Sequence, residues 1–301
     1  MTDPGALPEG PGLARFHHPL TGRFPAPHDR SARRRWSLGP QRLAEFEERG
    51  LVAGLPVLTP TETAELRGRL DAIGRRIHAL EPVLYEVEAA WLERPDEVVL
   101  HFLGAWLVDE LLHDLVFHPA VTVPVAEALG TRRLRFWHDQ VFWKPARHPA
   151  VVPWHQDYSY WTRTGPPAHA TMFISLDDMG PENGGLEYVP GSHRWGLFPP
   201  QPFGGELDAI LPHLSDEQRA AFRPEPVVLR AGEASIHHSH LVHGSRANPS
   251  DRPRRGAVLN YMADGTLVTD DREPLLRGVE PIPAGRPVAG PHFPITLDFD
   301  A

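Results

Sequence analysis

Trp154-His155-Gln156-Asp157 sets an imidazole and a carboxylate two residues apart, and His243-Gly244-Ser245 supplies another imidazole far along the chain. On an extended strand, residues two apart project from the same face, so His155 and Asp157 converge on one point. With an imidazole from a second strand they can hold a divalent metal on one face and leave the other open. Such a set suits non-haem Fe(II) that must also bind a co-substrate and dioxygen. A lone His-x-Asp is commonly just a surface hydrogen bond, so the second histidine carries the weight. Four histidines crowd the segment: His237, His238, His240 and His243. The glycine after His243 lets backbone approach a site closely and singles that residue out, while His238 and His240 are expected to be packed or supporting. Further on, Arg254 lies in Asp251-Arg252-Pro253-Arg254-Arg255. Its planar fork can take a carboxylate bidentately or stand as a solvated charge.

The elements that must position these groups differ along the chain. Residues 1–38, rich in Pro, Gly, His and Arg without periodicity, read as an extended arm. Within it the basic run Ser31-Ala32-Arg33-Arg34-Arg35 reads as a solvated loop. Helical spacing follows over Pro40–Glu47, then from a cap at Thr61 or Thr63 through Leu70, Ile73 and Ile77. Further helices are expected over Trp106–Leu115 and Ala120–Leu129. From Arg133 the pattern turns aromatic and β-branched. Strands are expected at Leu134–Trp143, Ala170–Leu176, Leu186–Val189, Val227–Leu229, Ala234–His238 and Ala257–Tyr261. Turns such as Pro181-Glu182-Asn183-Gly184-Gly185 separate them, as in a sandwich or barrel. The expected fold is mainly β, with helices packed on one outer face. The expected division is an arm (1–38) and one domain (39–301), its helical part at 39–132, its β core at 133–265 and a C-terminal extension at 266–301.

Composition narrows the classes. The chain has 301 residues, a net charge of −9 and no cysteine. The acidic balance argues against nucleic acid as the main partner. Without thiols, disulfides, iron–sulfur clusters and cysteine nucleophiles are excluded. No signal-like or membrane-length apolar run is present, so a soluble cytoplasmic protein is expected. Lys144, in Trp143-Lys144-Pro145, is the only lysine among 30 basic residues. Chance retention and a role near the mouth of the site both fit it.

Taken together, Trp154-His155-Gln156-Asp157, the block Asp177-Asp178 … Glu182-Asn183-Gly184-Gly185-Leu186 … Pro190-Gly191-Ser192-His193, and His243-Gly244-Ser245 … Asn248 … Arg254 resemble the phytanoyl-CoA dioxygenase family. The likeness covers roughly residues 134–262. It implies a double-stranded β-helix (jelly-roll) core and an Fe(II)- and 2-oxoglutarate-dependent oxygenase using O2. By position it implies His155, Asp157 and His243 as iron ligands, Arg254 and Ser245 at the distal carboxylate of 2-oxoglutarate, and Gln140 and Phe173 beside it. Thr171 is a further contact candidate on the same strand face. Asp178, Asn183 and Gly184 match a structural turn. A carboxylate at 157, where related halogenases have a small residue, implies hydroxylation or desaturation over chlorination; the reaction expected is hydroxylation of an unactivated carbon with release of succinate and CO2. A 2-oxoglutarate-dependent desaturase or cyclase of natural-product biosynthesis is the alternative, as is a cupin-like metalloenzyme that does not use 2-oxoglutarate. The substrate is expected to be a small molecule. Tyr158, Tyr160 and Trp161 stand either as its pocket or as barrel core, and the segment from Trp195 to Leu211 either as a cover or as a surface excursion.

Overall fold

A computed structural model of the chain describes residues 12–25 and 30–300. Fourteen strands appear in chain order: β1 (Leu51–Pro56), β2 (Glu86–Val87), β3 (Leu100–Leu103), β4 (Arg133–Lys144), β5 (Val152–His155), β6 (Thr164–Gly165), β7 (His169–Ser175), β8 (Leu186–Tyr188), β9 (Glu225–Pro226), β10 (Glu233–His238), β11 (His243–Ser245), β12 (Arg254–Ala263), β13 (Leu267–Val268) and β14 (Ile295–Asp298). The larger sheet runs β1-β10-β7-β12-β4-β3-β2, with β14 also paired to β4; the smaller runs β5-β11-β8-β9. These two antiparallel sheets are the jelly-roll.

Alternation along the large sheet explains both its packing and its chemistry. Met172, Ile174, Leu259 and Ile236 point outward into a core shared with the helices, including Leu66, Leu70 and Ile73 of the helix Pro60–Arg75. Their alternate neighbours Phe173 and Val258 point inward, against Leu186 and Tyr188 of the small sheet. Covering on both faces is why β7 reads as an almost continuous apolar run.

The helices are α1 (Arg30–Arg35), α2 (Gly39–Arg49), α3 (Pro60–Arg75), α4 (Ile77–Leu80), α5 (Ala89–Glu93), α6 (Glu110–Leu115), α7 (Pro119–Ala128) and α8 (Asp216–Ala221). Four expectations need correction. The helix expected over Trp106–Leu115 is a 3-10 turn (Ala105–Leu107) followed by a separate helix, α6, capped by Asp109. The cap of α3 is Thr59, not Thr61 or Thr63: Glu62 N donates to Thr59 Oγ1 (3.3 Å), and Thr59 N donates back to the Glu62 carboxylate (2.7 Å). Only from position 59 does the glutamate fall where a capping box requires it. The basic run forms α1 instead of a loop, and Arg33 donates to Asp298 O at 2.7 Å. Val227–Leu229 is not a strand; Leu229 makes an isolated bridge to Met179, and Val228 is 70% exposed.

Part of the N-terminal arm, residues 1–11 and 26–29, lies outside the described residues. The described portion packs down, with Ala14 and Phe24 buried and Leu20 N and Thr21 N donating to the Asp114 carboxylate. No helix among the described residues is long and apolar enough to cross a membrane.

Candidate metal centre

β5 ends on His155 and β11 begins on His243, and the two residues are directly paired across the antiparallel ladder. Asp157 follows at the start of a 3-10 turn (Asp157–Tyr160), where the chain leaves the sheet and swings the carboxylate back over the histidines. Gly244 serves the neighbouring strand more than the site. A Cβ there would lie 2.9 Å from Val152 O and 3.0 Å from the Trp154 ring.

The donor atoms of His155, Asp157 and His243 all lie within 4.8 Å of one another. Nε2 of His155 and Nε2 of His243 each stand 3.6 Å from the same oxygen, Asp157 Oδ1. That distance is too long for a hydrogen bond and short enough for donors that share one ion. The other ring nitrogens are fixed: His155 Nδ1 donates to Pro153 O (2.8 Å) and His243 Nδ1 to Leu241 O (2.9 Å). Each Nδ1 therefore carries the proton, and each Nε2 keeps a lone pair for a metal. Burial, with His155 and His237 nearby, pushes His243 well below the usual histidine range. Burial alone would raise Asp157, but His243, His155 and His237 hold it well below the ordinary carboxylate range. An ionised carboxylate and two neutral imidazoles are the protonation states a ligand set needs.

Asp157 is itself held. Its Oδ2 accepts from Thr171 Oγ1 (2.5 Å) and His237 Nε2 (3.0 Å). His237 is set in turn by Tyr188, whose hydroxyl meets Nδ1 at 3.1 Å. Sequence reasoning left His237 unassigned and gave Thr171 to the co-substrate; in the structure the Thr171 hydroxyl is engaged by the metal-facing carboxylate. The signal for both is the strand register, which pairs His237 with Thr171 across β10 and β7. His238 and His240 lie apart from the triad, with His238 Nδ1 accepting from His240 N at 3.0 Å.

Behind the triad a narrow recess is lined by Arg254, Ser245, Phe173, Thr171 and Val258. Arg254 is 1% exposed, its guanidinium 5.0 Å from the Phe173 ring centre, and its Nε and Nη2 have no protein partner. Burial lowers its pKa to about 10, although Tyr188 and Asp177 oppose the shift. Lys144 is fully buried beside it and donates to Ser245 Oγ (2.7 Å), Ser245 O (3.3 Å) and Arg246 O (2.5 Å). Because the ammonium donates to Ser245 Oγ, the serine hydroxyl proton remains free for another acceptor. Lys144 thus sits deep behind the site and not at its mouth.

In front of the triad opens a cavity of about 660 Å³. Cavity and recess share Gln140, Phe142, Val152, His155 and Asp157, so the triad stands at their boundary. Gln140 Oε1 accepts from His101 Nε2 at 2.9 Å. Tyr160 and Trp161 line the cavity, whereas Tyr158 is buried with its hydroxyl on Thr164 O. The segment from Trp195 to Leu211 is a wall: Pro200 to Phe203 line the cavity. It is tied down by Gln156 to Gly196 O and Phe198 N, and by Tyr160 to Gln201 O. Asn183 and Gly184 form the expected turn, Asn183 Nδ2 donating to Asp178 O, and Gly184 has φ +68°.

A jelly-roll carrying two imidazoles and one carboxylate with an open face defines a mononuclear non-haem metalloenzyme. The phytanoyl-CoA dioxygenase family model matches residues 46–256, and the chain belongs to that family. It is thereby a non-haem iron, 2-oxoglutarate-dependent dioxygenase. It is 28% identical over 221 residues to L-proline trans-4-hydroxylase of Streptomyces griseoviridis, covering 68% of this chain and 79% of that enzyme. It is 24% identical to ectoine dioxygenase of Nocardia farcinica over 83% of this chain and 88% of that one. Among solved structures it resembles the epimerase SnoN in complex with Fe3+, alpha-ketoglutarate and nogalamycin RO. That match has a TM-score of 0.63 and 25% identity, over 89% of this chain and 100% of that one. The carbocyclase SnoK from nogalamycin biosynthesis shares the fold, with a TM-score of 0.65, 24% identity and coverage of 91% and 99%.

Proposed function

We propose that His155, Asp157 and His243 hold Fe(II), that Arg254 and Ser245 hold the distal carboxylate of 2-oxoglutarate, and that the enzyme hydroxylates a small molecule bound in the front cavity. The observation that carries this reading is the pairing of an open donor triad with a buried guanidinium whose Nε and Nη2 lack protein partners. A dianionic keto acid satisfies both ends of that arrangement, with the fork of Arg254 matching a carboxylate. Iron, when bound, supplies the oxidising chemistry, coupled to conversion of 2-oxoglutarate to succinate and CO2.

The chain's own residues do the positioning. The Pro153 and Leu241 carbonyls lock both imidazole tautomers, and Thr171 with His237 fixes the carboxylate plane. The ring of Phe173 packs against Gly256, where a Cβ would come within 2.3 Å of it, and lies under the guanidinium of Arg254. Substrate in the front cavity meets the triad from the side opposite the keto acid, which keeps the two ligands from competing. Residues 39–301 act as one oxygenase domain on this reading, with the arm as an accessory layer, and the protein works in the cytoplasm. A cyclase or epimerase outcome draws on the SnoK and SnoN likeness alone. Hydroxylation draws on the family match and on the likeness to L-proline trans-4-hydroxylase and ectoine dioxygenase; the carboxylate at position 157 speaks against halogenation only.

Anaerobic addition of Fe(II) and 2-oxoglutarate tests the assignment. A weak visible charge-transfer band is expected, absent in His243→Ala, followed by succinate release on admitting air. Full-strength absorption in His243→Ala would end the proposal.

A further inference from the structure

One wall of the front cavity carries a second cluster of chemically active side chains. Glu86, Glu88 and His101 bring their donor atoms within 4.8 Å of one another. The arrangement follows from register: Glu86 is paired with Leu103, and Glu88 N donates to His101 O, so both glutamates and His101 project from one face of β2–β3. All three line the same cavity as His155 and Asp157.

The third member turns an acidic pair into a built site. His101 is 7% exposed, and its ring packs against Phe142 and Phe203, with centroids at 4.4 Å and 4.8 Å. Its Nε2 donates to Gln140 Oε1, so Nδ1 carries a lone pair, and that buried Nδ1 has no partner. The cluster therefore presents two carboxylates and one imidazole acceptor, with no donor among them.

The cations near this cavity have other hydrogen-bond partners. Arg163 lines it, but its guanidinium donates to the carbonyls of Glu273, Pro274 and Leu275. Arg277, whose charge reaches Glu86, is bonded to the Glu81 carboxylate and to the backbone oxygens of Glu81 and Leu84. Asp157 adds a further negative group. Burial and the neighbouring Glu88 raise the pKa of Glu86, and Arg277 opposes them only in part.

We infer that this enzyme takes an amine-bearing substrate, whose ammonium is held by Glu86, Glu88 and His101 while its carbon body reaches the metal centre. An ammonium offers three N–H donors to three acceptors, and Trp161 and Phe203 supply apolar faces in the same cavity for the rest of the molecule. A resident divalent ion fits less well. Glu88 Oε1 is engaged by Ala90 N at 3.1 Å, and a hard cation takes six or more oxygen ligands.

The inference rests on reading the adjoining triad as the oxidation centre, and the test separates the two. Protein loaded anaerobically with Fe(II) and 2-oxoglutarate is titrated calorimetrically with 2-phenylethylamine and with its neutral isostere 2-phenylethanol. The amine is expected to bind at least about tenfold more tightly, and Glu88→Gln to remove about tenfold of that preference while the charge-transfer band persists. Glu86→Gln is expected to act in the same direction. An amine that binds no better than the alcohol, or does not bind, overturns the inference even with the band intact. A missing band alongside selective amine binding overturns the iron reading and leaves this one standing. Mn(II) titration followed by electron paramagnetic resonance covers the remaining alternative. A second bound ion that disappears in Glu88→Gln would make the cluster a metal site and sink the amine assignment.

Discussion

Replacing Arg254 with Met should make the ligand-free protein more stable and at the same time blind it to 2-oxoglutarate. The guanidinium is 1% exposed, and two of its nitrogens lack protein partners. Its pKa, pushed down to about 10 from 12.5 by burial, corresponds to about 3 kcal/mol of penalty on the charged form. The contact with Phe173, worth about 1–2 kcal/mol, offsets part of this. Met keeps most of the stem's packing, so the net gain is about 1–2 kcal/mol, or roughly 2–4 °C in Tm for a chain of this size. With keto acid bound, the balance reverses. Two charge-assisted bonds to a carboxylate are worth about 3–5 kcal/mol together, so the variant's Kd for 2-oxoglutarate should rise by at least about a hundredfold. Thermal unfolding with Mn(II), with and without 2-oxoglutarate, reads both effects. At about 100 times its Kd the keto acid should stabilise the parent by about 2.7 kcal/mol and the variant hardly at all. A variant less stable than its parent without ligand, or one stabilised equally by 2-oxoglutarate, would refute the argument that this charge is held in reserve for an anion.

Thr171→Val removes the 2.5 Å bond to Asp157 Oδ2 and should weaken Fe(II) binding about tenfold in an anaerobic titration, with Thr171→Ser restoring it. Gly256→Ala sets a Cβ 2.3 Å from the Phe173 ring; displacing that ring should lower stability by about 1–3 kcal/mol and loosen 2-oxoglutarate in the same thermal assay. Acid should destabilise the fold steeply from about pH 6.5 downward. His101 and His118, with pKa about 4, and His138 and His169, about 3, are all lowered chiefly by burial. The unfolded chain takes up these protons near pH 6.5 while the folded chain does not, so stability is lost between that pH and the folded values. Asp139, raised by burial to about 6, binds a proton in the folded state first and opposes the trend by one group. Urea unfolding should show a loss of about 2 kcal/mol between pH 7 and pH 6, and an unchanged midpoint would contradict these burials.

The residues proposed to meet ligands were legible, because ligation constrains spacing. His155 and Asp157 sit two apart where β5 ends and a 3-10 turn begins, and His243 was singled out among four histidines by its glycine, although that glycine mainly admits Trp154. The β-branched runs gave β4, β7 and β10 within a residue or two, and β12 within three. Three short strands preceding β4, and β14 at the end, went unread. The pairs of β2 and the four residues of β3 are too brief to show a period, and β14 returns to β4 from a segment whose turns resemble coil. The acidic wall of the cavity was hidden for the same reason: Glu88 meets His101 only through the register of β2 with β3.

His237 and Lys144 expose the deeper limit. Each acts one bond behind a residue that was readable, His237 on Asp157 and Lys144 on Ser245, and a supporting group is fixed by sheet pairing instead of by chain spacing. Only residue type could have flagged Lys144. In a chain that otherwise uses arginine throughout, one ammonium is kept where three oxygens of Ser245 and Arg246 converge in full burial. A planar guanidinium presents its donors in a fork and needs more room, while a compact ammonium sends three donors outward from one nitrogen. The niche therefore selects lysine on shape, and burial with Arg254 nearby holds its pKa well below the usual lysine range. Arg254 is then the buried cation of the recess, and a guanidinium with two nitrogens lacking partners marks it as a place built for an anion to complete.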